Sequence, residues 1–292
     1  MKWRKPRSME SLLHGKTNAI DRLKEVWLRS EPYQIYQYGD RSKNDKEHCL
    51  KVDENIRIIL TNGRTGSSPA DYFILSVTAA YHDLDKANEN TKLKFEHGHY
   101  SGKLVKKDPA QYGLVPVEAE AFSYISTFHN KGRFKKNRPP FSMYLPLFPY
   151  TPIKPEKLAL IFFLADQMDQ GYSRADDFFL KVKYTEGYIP EKALARNTIE
   201  GLTIHDDSRV IVVNLRDIPN LSPEENRRRF RAVEKAVNLS RSIMKPVEDR
   251  LCALGLPYRF DLSPVAKDNA PEATRLDKIG YYLDVLNRLV KK

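Results

Sequence analysis

Residues 71–86, DYFILSVTAAYHDLDK, decide the fold. Wound at 3.6 residues per turn, the run from Tyr72 to Tyr81 is apolar almost all round, which predicts a helix crossing the middle of a core. It ends on His82 and Asp83. An ionised carboxylate in apolar surroundings is costly unless it is paired or bound to metal. The same conflict recurs at Asp166, where LALIFFLADQMD (158–169) places an acid in an otherwise oily helix opened by Pro155. One such aspartate can be a satisfied core polar group. Two of them, with a histidine on a further helix, point to a shared cation. Imidazole and carboxylate together suit a divalent metal (Mn, Fe, Ni, Co, Zn or Mg), the histidine favouring transition metals.

Outward from this centre, residues 9–30 carry apolar positions at helical spacing (Leu12, Leu13, Ile20, Leu23, Val26, Trp27) and predict an amphipathic helix. The polar stretch EPYQIYQYGDRSKNDKEH (31–48) reads as loop. Helical spacing returns from about 46 to 60, and Asn62-Gly63 with Gly66-Ser67-Ser68-Pro69 are turn signals. Further helices fit 97–106 and 116–130. The segment 132–155 holds six prolines and five aromatics, which predicts an irregular excursion near the site mouth, since proline fixes φ and removes a backbone donor. Beyond about residue 195 two short β-like runs flank Asp206-Asp207-Ser208, followed by a charged helix and the short apolar YRFDL (258–262). The expected fold is mainly α: a helical bundle over 1–190 with a small α/β appendage over 191–292 packed on it.

Composition narrows the function classes. The 292 residues are 41% hydrophobic and 30% charged, the mix of an ordinary globular chain. No window approaches the apolar length of a membrane span, so no membrane is expected. The opening MKWRKPRSMES lacks the apolar core of a secretory signal, making the cytoplasm the expected compartment. Cys49 and Cys252 give neither a disulfide framework nor a zinc spacing. With 49 Lys+Arg against 38 Asp+Glu the chain carries +11, thickest at Lys106-Lys107, at Lys135-Lys136 with Arg138, and at Arg227–Arg229 with Arg231. Such runs are either solvated faces or surfaces for phosphate, as nucleotide or nucleic acid.

The arrangement resembles the HD-domain superfamily of metal-dependent phosphohydrolases: a histidine on one helix, an adjacent His-Asp on a later one, and an aspartate on a late apolar helix. EHCLKVDENIRIIL (47–60) matches the first element and supplies His48. AAYHDLDK supplies His82 and Asp83, 34 residues on, and LADQMDQGYSR (164–174) supplies Asp166. His14 also opens a helix-like run, but the spacing favours His48. The resemblance spans about residues 30–180 and implies that His48, His82, Asp83 and Asp166 hold one metal. FEHGHYSGKLV places His97, and ISTFHNKGRF places His129, where family members build a second metal site. Here they can serve a second metal or a bound phosphate. Asn130 stands where a further histidine is frequent, so a second ion should be weakly held. The texture from Asp166 through Asp169, Ser173 and Arg174, and the α/β segment after it, is similar to the subgroup called HD-CE.

From the ligand set follows an expected chemistry. A divalent ion brings the pKa of bound water towards neutrality and polarises a phosphoryl oxygen. Asp83 and Lys86 are the expected catalytic residues, Lys86 being either a phosphate contact or a surface lysine at a helix end. Lys131, Arg133 and Arg174 are candidate substrate contacts, and Asp169, three residues from Asp166, either orients a ligand histidine or pairs with a base. His99 and His205 are expected to be a surface and a turn residue. The leading expectation is a phosphohydrolase or phosphodiesterase acting on a nucleotide or cyclic nucleotide phosphoester. Two alternatives remain: a nuclease on single-stranded nucleic acid, suggested by cationic residues among aromatics, and a non-catalytic nucleotide-sensing module. Oligomeric state is not legible in the sequence.

Overall fold

The computed structural model describes residues 12–35, 43–62, 66–84, 96–128, 141–169, 191–205, 210–216, 218–253 and 263–265. The chain is mainly α. Helices α1 (Thr17–Ile35), α2 (Lys43–Asn62), α3 (Pro69–Tyr81), α4 (His97–Lys107), α5 (Pro116–Phe128) and α6 (Pro155–Gln167) form the bundle, with a 3-10 turn at Pro109–Tyr112. The hairpin β1 (Met143–Leu145) and β2 (Phe148–Ile153) precedes α6. Then come α7 (Glu191–Thr198), β3 (Ile199–His205), β4 (Val210–Leu215), α8 (Pro223–Ala253) and β5 (Ser263–Val265).

Helix α3 is the centre. Every residue from Ala70 to Tyr81 is buried, as its all-round apolar sequence requires. Its start is fixed by a reciprocal cap: the Asp71 N–H donates to Ser68 Oγ at 3.2 Å, and the Ser68 N–H donates to Asp71 Oδ2 at 2.9 Å, with Pro69 where no intrahelical donor is needed. Helices α1, α2, α5 and α6 pack around it. Tyr81 ties it to α1 through a 2.9 Å hydrogen bond from its hydroxyl to the Val26 carbonyl. Helix α6 repeats the design, opened by Pro155 and buried from Leu158 to Ala165. Helices α4 and α5 approach closely at Gly102, where a Cβ would lie 2.7 Å from Ser123 Oγ.

The C-terminal sheet has the order β3-β4-β5, with β3 antiparallel and β5 parallel to β4. Helix α8 connects the parallel pair. Strand β3 packs on α2 and α8 packs on α6, so the appended unit rests on two helices of the bundle. The buried apolar cluster runs on from Phe162 and Phe163 through Ile199, Val213 and Val237.

Three sequence expectations change. The run expected as one helix is interrupted over the described residues: Leu12 is helical, residues 13–15 form a turn in which Gly15 takes φ +73°, outside the helical region, and α1 begins at Thr17. The stretch 31–48, expected as loop, is helical over 31–35 and 43–48. The chain continues through Pro32 because Tyr33 is anchored: its ring lies 5.6 Å from that of Tyr112, and its hydroxyl accepts from Gln111 Nε2 at 2.6 Å. The proline-rich segment 132–155 contains the β1–β2 hairpin, since Pro149 and Pro152 sit on a strand with one partner, where a missing donor is tolerated. Phe148 packs on Phe73, with ring centroids 5.8 Å apart. The hairpin therefore meets the beginnings of α3 and α6, whereas His82 and Asp166 stand at their far ends. Strand β5, three residues long, is too short to show any period, and YRFDL lies outside the described residues.

Candidate metal centre

The buried ends of three helices converge. His48 stands in the second turn of α2, His82 caps the C-terminus of α3, Asp83 follows it, and Asp166 occupies the last turn of α6. His48 is 2% exposed and His82 0%. Their Nε2 atoms are 3.1 Å apart. Asp83 Oδ2 lies 3.6 Å from His48 Nε2 and 3.3 Å from His82 Nε2. Asp166 Oδ1 lies 3.3 and 4.0 Å from the same two atoms. His48, His82 and Asp83 each present a donor atom within 4.8 Å of the others, a group that could hold a metal ion.

Outer contacts orient both imidazoles. His82 Nδ1 is 3.1 Å from the Ala79 carbonyl, which can only accept, so Nδ1 carries the hydrogen and donates. His48 Nδ1 is 2.5 Å from Asp169 Oδ2, and an ionised carboxylate likewise only accepts. With both Nδ1 atoms engaged as donors, each ring turns its Nε2 inward, towards the other and towards Asp83 and Asp166. His48 Nε2, His82 Nε2 and Asp83 Oδ2 thus form one close group, with Asp166 Oδ1 beside the two imidazoles but outside that group. A metal ion could be held by His48, His82 and Asp83, one imidazole being backed by a carboxylate and the other by a backbone carbonyl, as metal-binding histidines usually are.

His97, the first residue of α4, joins at the edge. Its Nε2 lies 3.2 Å from Asp83 Oδ1, so the two oxygens of Asp83 face different partners. Phe162 closes the side of His82, with ring centroids 5.2 Å apart. His99 is half-buried, and His205 ends β3.

The structure thus brings together His48, His82, Asp83, Asp166, Asp169 and His97. Lys86, His129, Lys131, Arg133 and Arg174 lie outside the described residues. Sequence reading passed over Asn55, whose Nδ2 donates to the Ala165 carbonyl beside Asp166 at 2.9 Å. Its signal was available: Asn55 is seven residues after His48, on the same helix face. Comparison of the chain with protein-family models and with curated proteins gives no match. Among the described residues no helix is long and apolar enough to cross a membrane.

Proposed function

We propose that this chain is a metal-dependent phosphohydrolase of the HD type, acting on a nucleotide or cyclic nucleotide phosphoester. The observation carrying the reading is the convergence of His48, His82, Asp83 and Asp166, with both Nε2 atoms turned inward and both Nδ1 atoms engaged from outside. When bound there, a divalent ion, manganese being our first choice, supplies an acidified water and a Lewis acid for a phosphoryl oxygen. The chain's own residues do the rest. Asp169 holds the proton on His48 Nδ1 and so keeps Nε2 available. Asp83 offers Oδ2 to the centre while Oδ1 faces His97, a path by which a proton can pass between carboxylate and imidazole. Phe162 restricts water on the His82 side. Lys86 and Arg174 follow α3 and α6 in sequence, and they, with Lys131 and Arg133, supply cationic contacts for phosphate.

The test is a panel of nucleoside triphosphates, cyclic mono- and dinucleotides and single-stranded oligonucleotides, run with Mn, Mg, Ni and Co beside elemental analysis of the purified protein. Metal-dependent release of phosphate or nucleotide is the expected result. Absence of both bound metal and turnover with every ion would refute the reading. One observation favours a second reading, a nucleotide-sensing module: β3 and α8 rest on α2 and α6, the helices that carry His48 and Asp166. Tight nucleotide binding without turnover, in metal-replete protein, would select it.

A further inference from the structure

Asn55 lies on the face of α2 that also carries His48, Val52 and Ile59, and it is 0% exposed. The carbonyl it holds is one that the α6 backbone passes over. The Met168 N–H donates to the Leu164 carbonyl at 2.9 Å, and the Asp169 N–H turns back to the Asp166 carbonyl at 3.1 Å. Between these two bonds the Ala165 carbonyl takes its hydrogen from Asn55 Nδ2 at 2.9 Å. The chain then tightens over residues 166–169, and this turn delivers two acids to one imidazole: Asp166 Oδ1 is 3.3 Å from His48 Nε2, and Asp169 Oδ2 is 2.5 Å from His48 Nδ1.

We infer that Asn55 is a positioning residue of the metal centre, a clamp between α2 and the end of α6 that sets where Asp166 and Asp169 stand. The inference rests on the metal reading of the cluster. Asn55 and His48 are two turns apart, about 10 Å along α2 by helical rise, and the end of α6 is held at both points. Attachment at two separated points fixes the rotation of that end as well as its distance, and a carboxylate at a metal needs both. Only half of the amide is used: Nδ2 serves the Ala165 carbonyl, while Asn55 Oδ1 is buried without a hydrogen-bond partner among the described residues. A leucine of similar size would remove that unpaired oxygen but would leave the Ala165 carbonyl without its donor. The Nδ2 contact is what an apolar side chain would lack.

The experiment is a cobalt(II) titration of the full-length chain, read by visible ligand-field absorption, comparing wild type with Asn55→Leu and with Trp27→Phe. Trp27→Phe removes a buried hydrogen bond to Ser76 Oγ away from the centre and controls for general loosening. We expect Asn55→Leu to weaken cobalt binding about 10- to 100-fold and to alter the absorption bands, with a melting temperature no lower than that of Trp27→Phe. Trp27→Phe should bind cobalt as wild type does. Unchanged cobalt affinity in Asn55→Leu, or equal loss in Trp27→Phe, would overturn the inference. If Asn55→Leu does not fold, Asn55→Ala carries the same comparison. If wild type itself takes up no cobalt, the metal reading fails, and the clamp is then judged by the proton NMR signal of His48 Nδ1–H. A shift of that signal in the Asn55 variant sustains the clamp, and an unmoved signal overturns it.

Discussion

Two polar clusters are buried against α3, and they are built in opposite ways. One surrounds Asp53 on α2, which is 1% exposed. Ser76 Oγ donates to its Oδ1 at 2.5 Å, Tyr72 OH lies 3.2 Å from its Oδ2, and Trp27 Nε1 donates to Ser76 at 3.1 Å. Two neutral donors from α3 thus converge on one carboxylate, and Trp27 of α1 supports one of them by donating to Ser76. The other cluster, six residues further along α3, presents carboxylates and imidazole nitrogens to one another. A buried acid ringed by donors is a finished structural unit. Two imidazoles and a carboxylate that face one another form instead a group that could hold a cation. The difference lies in what faces each aspartate rather than in its burial, since Asp53 and Asp169 are equally hidden.

That contrast is open to direct attack. The largest effect is expected at Asp83→Ala, which under the proposed function removes a ligand oxygen and a proton-holding group at once. Turnover in the substrate panel should fall on the order of a thousandfold or more while circular dichroism and the melting curve remain those of a folded protein. Retained turnover in metal-replete Asp83→Ala would place the chemistry elsewhere. Asp53→Ala should do the reverse: lower stability by about 2–4 kcal/mol through the hydroxyls of Ser76 and Tyr72 left without their acceptor, and leave metal content as purified unchanged. Urea unfolding and elemental analysis on the same preparation read both. If Asp53→Ala lost its metal, the two clusters would have to be treated as one.

Asp169→Asn sharpens the comparison within the metal cluster. Asparagine can still accept from His48 Nδ1–H, but it carries no charge, so the imidazole becomes a poorer ligand. Chelator competition should show metal binding weakened about 10- to 100-fold, with a smaller loss of stability than Asp53→Ala produces. Equal affinity would mean that Asp169 serves packing alone.

Glu118 gives the smallest effect and an intermediate environment. It is 1% exposed, and its Oε2 accepts from Arg22 at 2.9 Å and from the Val115 N–H at 3.0 Å. Burial raises its pKa above the ordinary glutamate value, against the lowering influence of the Val115 hydrogen bond and the Arg22 charge. The folded state therefore holds this proton more tightly than the unfolded chain. The resulting stability is full below the unfolded pKa and is lost as pH rises through the folded one. Replacing Glu118 with glutamine removes that dependence. The stability of wild type minus that of Glu118→Gln should thus fall as pH is raised from just below the ordinary glutamate range, and a difference independent of pH would contradict this account.

Much of this was legible in the residues themselves. Helices α3 and α6 are apolar all round, and no other fold accommodates such segments in a chain of this composition except as buried helices. The acids that end them marked a candidate site, because an unexplained carboxylate in an oily run is expensive wherever the helix is placed. What could not be read is the role of acids and amides in α2. The polar run DEN (53–55) looks like the solvated side of an amphipathic helix, yet Asp53 and Asn55 are buried. Their burial exists only because α2 is covered on two sides, by α3 and by α6. The hairpin over 143–153 was hidden for a related reason. Its prolines break every local period, and only the pairing of Met143 with Ile153 and of Tyr144 with Pro152 makes strands of them.

Sequence alone determined which segments had to be inside, since hydrophobic periodicity is a local property of the chain and burial of apolar surface is non-directional. Tertiary structure decided which polar groups meet. Hydrogen bonds and metal coordination act over about 3 Å or less and depend on angle, so whether Asp53 finds hydroxyls and Asp166 finds imidazoles is settled by how α2, α3 and α6 are rotated against one another. No single helix holds that information.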